Sequence, residues 1–117
     1  MENGKCAVAT GLTNGLAMGS TEFHVFRASE GINGRFLFAL LNREGVRKEA
    51  ENNFTGSSGH RRVPAAFYEN YKIPVPPLTE QTALVAQIEA IELKMVEAQR
   101  IINDAPAQKQ AVLQYFL

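Results

Sequence analysis

Cysteine, histidine, tryptophan and net charge are all scarce in this chain, and each scarcity removes a class of function. The single cysteine, Cys6, cannot close an internal disulfide. One cysteine and two histidines give no tetrahedral zinc spacing, and Glu22-Phe23-His24 lacks the second histidine one turn away that a metalloprotease helix requires. No metal and no cofactor is therefore expected. Lys plus Arg is 12 and Asp plus Glu is 12, so the formal net charge is zero and any attraction to an anion must be local. The longest apolar run, Phe36 to Leu41, falls far short of the roughly 20 residues that span a bilayer. The opening Met1-Glu2-Asn3-Gly4-Lys5 also lacks the positive-then-apolar order of a secretory signal. These absences predict a soluble, cytoplasmic chain with no membrane contact, in which Cys6, within Cys6-Ala7-Val8-Ala9, is a buried small hydrophobe.

What remains is a chain of 117 residues, 45% hydrophobic, enough for one modest core. Prolines 74, 76 and 77 divide it, because neither a helix interior nor a central strand accommodates so many missing N–H donors. We therefore expect a first domain over 1–74, a proline-rich connector over 75–79 and a long helix over 80–117. Residues 1–74 carry nine basic and seven acidic side chains, and 75–117 carry three and five, so the basic half is the one that faces any anion.

Within the first half, Asn14-Gly15 reads as a turn at positive φ with strands on either side. Thr21, Phe23 and Val25 alternate with Glu22, His24 and Phe26, a period of two that predicts a strand over about Ser20 to Arg27 with one face mainly buried. Asn33 is positioned to cap a helix whose Phe36, Leu37, Leu40 and Leu41 recur at helical spacing and face the sheet. Gly45 is expected to end or interrupt that helix, with a second polar helix over Val46 to Asn52. Gly56-Ser57-Ser58-Gly59 is loop composition, Pro64 to Tyr68 suits a short helical turn, and Tyr71 to Val75 reads as a last strand. The expected fold class is α+β: a small mixed sheet and helix domain followed by a long coiled-coil helix.

That helix carries the strongest pattern in the chain. From Leu84, the apolar positions Ile88, Ile91, Met95, Ala98, Ile102 and Ala105 follow at steps of 4, 3, 4, 3, 4 and 3, the seam of a left-handed coiled coil. Thr79 is the expected N-cap, with Glu80 in the first turn where the helix dipole favours it. Gln81 to Ala105 makes a rod about 37 Å long, more than the first half can cover, so the seam requires a second helix. Pro106 is expected to kink or end the rod, with the register resuming at Lys109, Val112 and Phe116.

Catalytic patterns are lacking. Gly56-Ser57-Ser58-Gly59-His60 has His where a nucleophile elbow needs Gly, and it lacks the Gly-Lys-Ser/Thr ending of a P-loop. A flexible loop with Arg61 and Arg62 at its exit suits phosphate contact; as a plain exposed turn, its arginines would pair with acids such as Glu69.

Three stretches in order resemble the specificity subunit of type I restriction–modification systems: Gly19-Ser20-Thr21-Glu22-Phe23 leading to Val25 and Arg27, the Gly56 to Val63 loop followed by Phe67, and Ile73-Pro74-Val75-Pro76-Pro77-Leu78-Thr79-Glu80-Gln81 opening a long helix. The resemblance runs from about Asn3 onward. It implies a non-catalytic subunit that reads double-stranded DNA through a target recognition domain. Its long helix would pair antiparallel with a counterpart and dock the methyltransferase subunit and, through it, the restriction subunit. Gly19 to Phe23 would then be framework, Pro74 to Gln81 the hinge, and Leu84, Ile88, Ile91, Met95, Ala98 and Ile102 the pairing seam. On chemistry, Ser57, Ser58, His60, Arg61 and Arg62 are the DNA-contact candidates. A full subunit carries two recognition domains and two such helices. This chain, with one helix and the later part of one recognition domain, reads as a fragment or half-subunit that homodimerises or pairs with another specificity chain. The alternative from a different class is a coiled-coil protein-interaction module without DNA binding of its own.

Overall fold

The computed structural model describes residues 5–57 and 61–117. A short 3-10 turn at Thr13–Gly15 is followed by four helices: α1 Gly34–Leu41, α2 Glu44–Asn52, α3 Ala65–Asn70 and α4 Leu78–Phe116. The chain forms two compact units that meet between Thr82 and Ala83, inside α4.

In the first unit α1 and α2 pack on each other. The Asn33 side chain caps α1 as its position in the sequence suggests, accepting from Arg35 N at 2.8 Å and Phe36 N at 3.2 Å. Helical spacing then places Phe36 and Leu40 on one buried face, and Val46 and Ala50 form the matching buried pair of α2. With Val63 these side chains form a small core, each large member contributing about 1.5–3 kcal/mol. Asn42, not Gly45, separates the two helices: its side-chain amide returns to the Phe38 carbonyl at 3.0 Å, closing α1 early, while Gly45 lies inside α2.

The expected α+β class is not what forms, since no sheet occurs among the described residues. The sole strand-like pairing among them is an isolated antiparallel bridge between Thr55 and Arg62. The reason lies in local competition for donors. At the head of the expected strand, Ser20 Oγ accepts from Glu22 N at 3.1 Å and the Ser20 carbonyl accepts from Phe23 N at 3.1 Å, so Ser20 to Phe23 is a turn. The Phe23 ring folds back over Gly19, where a Cβ would meet it at 3.0 Å. Tyr71 to Val75 is likewise not a strand: Tyr71 N closes a turn onto Tyr68 O at 3.3 Å, and Pro74 has no donor to give a ladder. Asn14 and Gly15 do take positive φ, 53° and 69°, as the Asn-Gly pair suggests, but without flanking strands. Helix α1 therefore faces α2 and not a sheet. Cys6 is also corrected from buried to exposed; its thiol donates to Asn42 Oδ1 at 2.7 Å in place of apolar packing.

Helix α4 starts one residue ahead of the expected cap. The Pro77 carbonyl already accepts from Glu80 N at 2.9 Å and Gln81 N at 3.1 Å, so Thr79 lies within the helix. Gln81 is completely buried. Its Nε2 donates to Gly31 O at 2.9 Å and Pro76 O at 2.8 Å, and its Oε1 accepts from Asn33 N at 2.8 Å. One side chain thus joins the entry to α1, the connector and the first turn of α4.

The second unit is the remainder of α4. Pro106 does not end it: the helix continues to Phe116. Proline removes one backbone bond at a cost of about 3 kcal/mol, while helical residues on both sides preserve the rest of the ladder. Arg100 pairs with Glu97 at 2.8 Å and Asp104 at 3.6 Å, and its hydrogen bond holds the Glu97 carboxyl below its ordinary pKa. No helix among the described residues is long and apolar enough to cross a membrane.

Replacing Gln81 by Met keeps the volume but leaves Asn33 N–H and the Gly31 and Pro76 carbonyls without their partner. We expect a loss of about 3 kcal/mol of stability in urea unfolding, since each buried orphan costs about 1–3 kcal/mol. A loss below about 0.5 kcal/mol would show that these groups are satisfied in another way.

Candidate nucleic-acid interface

The Gly- and Ser-rich loop is pinned at its base. Thr55 N donates to Arg62 O at 2.9 Å and Arg62 N to Thr55 O at 3.0 Å, a single hydrogen-bonded antiparallel pair. Gly56 leaves this base at φ 106°, a conformation that favours glycine. Ser57 and Arg61 are exposed; Ser58 and His60 lie outside the described residues.

The two arginines are held by different means. The Arg61 guanidinium sits over the Phe54 ring, 5.2 Å from its centroid, a cation–π contact across the mouth of the loop. Arg62 is bound by Glu22, with Nη1 at 3.1 Å from Oε2 and 3.3 Å from Oε1. An acid pairs with Arg62 as an exposed turn would suggest, but it is Glu22 and not Glu69. Glu22 lies 40 residues away from Arg62, and the sequence signal for it is only its parity with His24 and Phe26.

That parity matters in the structure. Glu22, His24 and Phe26 all make contacts at the loop exit and α3 while staying partly exposed, and Phe23 and Val25 are more exposed than Phe26. His24 Nε2 donates to the Val63 carbonyl at 2.9 Å, and the imidazole stacks edgewise on Tyr68 at 5.0 Å. Phe26 meets the same Tyr68 ring at 5.0 Å, and Phe67 extends the aromatic row to Tyr71. His24 is thus a structural residue whose hydrogen bond fixes the position following Arg62. Burial raises the pKa of the Tyr68 phenol above 10.0, and nearby Cys6 adds to the rise.

The seam residues of α4 form a second candidate surface. Leu84, Ile88, Ile91, Met95, Ala98 and Ile102 are all exposed, from 37% for Ile88 to 65% for Met95 among the larger ones. Leu93 and Val96 are also exposed and lie off that line, so the apolar surface of the helix is wider than the seam. Among the described residues no group of three His, Cys, Asp or Glu side chains could hold a metal ion.

Comparison with known proteins gives this arrangement a context. Residues 5–104 match the family model described as the type I restriction modification DNA specificity domain. The type I restriction enzyme EcoAI specificity subunit of Escherichia coli is 44% identical over 85 residues, which is 72% of this chain and 14% of that protein. The EcoEI specificity subunit of the same organism is 40% identical over 85 residues, with the same shares. The chain thus spans about 14% of the length of the curated relatives it matches. No solved structure matches it.

The raised Tyr68 pKa sets a pH limit on the aromatic row. The folded state favours the neutral phenol, so this stabilisation is fully present below pH 10.0 and is lost as pH rises through the folded Tyr68 pKa. A titration followed at 295 nm should show a step above pH 10 that Tyr68→Phe removes. A component lost in Tyr68→Phe that titrates no higher than pH 10.0 would refute the burial of this phenol.

Proposed function

The chain belongs to the type I restriction–modification DNA specificity family, and on that premise we propose that it is a non-catalytic DNA-reading piece of such a complex. The observation that carries the reading is the extent of the family match. Residues 5–104 include both the arginine-bearing loop and the whole seam from Leu84 to Ile102, which supports reading the two surfaces as parts of one recognition element. In this reading residues 1–74 are part of a target recognition domain, 75–79 the connector and 80–117 the pairing helix.

The loop meets double-stranded DNA through Ser57, Ser58, His60, Arg61 and Arg62. Small side chains allow the backbone to approach closely, and a guanidinium can bind phosphate or the O6 and N7 edge of guanine. The chain contributes no bond-making step; methylation and cleavage belong to the methyltransferase and restriction subunits. The exposed seam supports helix pairing, with a second copy or with another specificity chain. Burying each Leu or Ile in such a pair contributes about 1.5–3 kcal/mol before the cost of association. A two-fold pair of half-subunits would present two recognition elements to DNA. The wider apolar surface, with Leu93 and Val96, is the docking area for a methyltransferase subunit, and co-purification with that subunit from the same host tests it directly. With such partners the chain would work in the cytoplasm.

A second reading is favoured by the engagement of both arginines within the chain, Arg62 with Glu22 and Arg61 with Phe54. There the helix is a protein-interaction module and the loop a surface element without DNA affinity. Salt separates the two. Contacts to phosphate release counterions, so log affinity falls with log salt by about 0.9 per phosphate neutralised.

Replacing Arg61 and Arg62 together by Ala should weaken binding to duplex DNA and lower the salt slope by about one for each of the two that contacts phosphate. Binding that is absent in the parent chain, or unchanged in the variant across salt, selects the second reading. Ile88→Asp with Ile91→Asp should abolish self-association in analytical ultracentrifugation while leaving the circular dichroism of the first unit intact. An unchanged oligomer would refute the seam.

A further inference from the structure

We propose that Glu22 is the positioning residue for Arg62 in DNA reading, an inference that rests on the DNA-reading role of the loop. The pair is exposed on both sides, with side chains 66% and 59% accessible, and exposed ion pairs contribute only about 0–1 kcal/mol to stability. Its consequence is therefore geometric more than energetic.

Three observations define that geometry. First, Glu22 contacts a single guanidinium nitrogen, Nη1, through both carboxylate oxygens. An arginine carries five N–H donors in a planar fork, so the side-on edge formed by Nε and Nη2 is left unoccupied among the described residues. That is the edge able to grip guanine O6 and N7 bidentately. Second, both ends of the pair stand on fixed backbone. Arg62 is bonded in both directions to Thr55, and its neighbour Val63 is buried and holds His24. Glu22 sits in the Ser20 turn, with its own N–H bound to Ser20 Oγ. Third, Arg61 beside it is anchored over Phe54 and has no carboxylate partner among the described residues. Of the two arginines, Arg62 is thus the one held by a carboxylate, at a single nitrogen, with a bidentate edge left open. Arg62 reads a base, and Glu22 sets the angle at which it reads.

The test is selection from a randomised DNA duplex pool by the full chain and by Glu22→Gln, Arg62→Ala and the double substitution, with the bound DNA sequenced. The parent chain should enrich a motif containing a guanine that Arg62→Ala no longer selects. Glu22→Gln should lower the preference at that one position by about tenfold and leave the other positions unchanged, and the double variant should match Arg62→Ala. Unaltered circular dichroism and urea midpoint in Glu22→Gln would show that the fold is retained. The inference is overturned if Glu22→Gln keeps the full preference, weakens all positions alike or adds to Arg62→Ala. A parent chain that enriches no motif overturns the DNA-reading role itself, an outcome distinct from the failure of Glu22 alone.

Discussion

The completely buried Gln81 amide is the interaction on which the first unit depends. A proline-rich connector carries carbonyls but few donors, and a buried carbonyl without a partner costs about as much as the whole net gain of one or two ordinary hydrogen bonds. Gln81 supplies the missing donor to Pro76, and spends its other amide hydrogen on Gly31. Its oxygen takes the Asn33 N–H, while the Asn33 side chain caps α1. A single chain of polar contacts therefore runs from the first turn of α4 to the first turn of α1. Segments that are about fifty residues apart in sequence acquire a fixed relation through this one side chain.

The same logic explains which features could be read from the sequence. The Asn33 cap, the positive φ at Asn14 and Gly15 and the Phe36 and Leu40 face of α1 depend on residues within a few positions of one another, and these local features form, although the strands expected beside the turn and the sheet expected against α1 are not found among the described residues. No sheet forms among the described residues because strand formation needs a partner, and a period of two specifies only that alternate side chains face opposite ways. Here that alternation sends Glu22, His24 and Phe26 toward Arg62, Val63 and Tyr68, with the more apolar set of Phe23 and Val25 left outside. Gln81 looked like an ordinary polar residue of a first helical turn. Nothing local marks it, because its three partners come from Gly31, Asn33 and Pro76.

The candidate DNA interface was legible to about the same depth. Composition identifies the loop and its two arginines, and structure supplies what holds them. The choice of Glu69 as counter-ion followed from proximity along the chain, whereas Glu22 reaches Arg62 through the turn at Ser20. Ser58 and His60 fall outside the described residues, and Ser57, Arg61 and Arg62 are the candidates that the structure locates. On α4 the repeating steps of 4 and 3 identified the exposed line of Leu84 to Ile102, but the additional apolar residues Leu93 and Val96 are invisible to a heptad count. At Pro106 the local signal is to kink or end the helix, and α4 does not end there but runs on to Phe116.

The bridge between Thr55 and Arg62 has an evolutionary consequence. Because one residue pair closes the loop, the segment between them can lengthen or change composition without disturbing the core of α1 and α2. Each doubling of a flexible loop costs only about 0.6 kcal/mol in closure entropy. Insertions and substitutions can therefore accumulate there as interchangeable inserts in a constant frame, so that the chain can diversify at its tip while its folding stays under the control of Gln81 and Asn33.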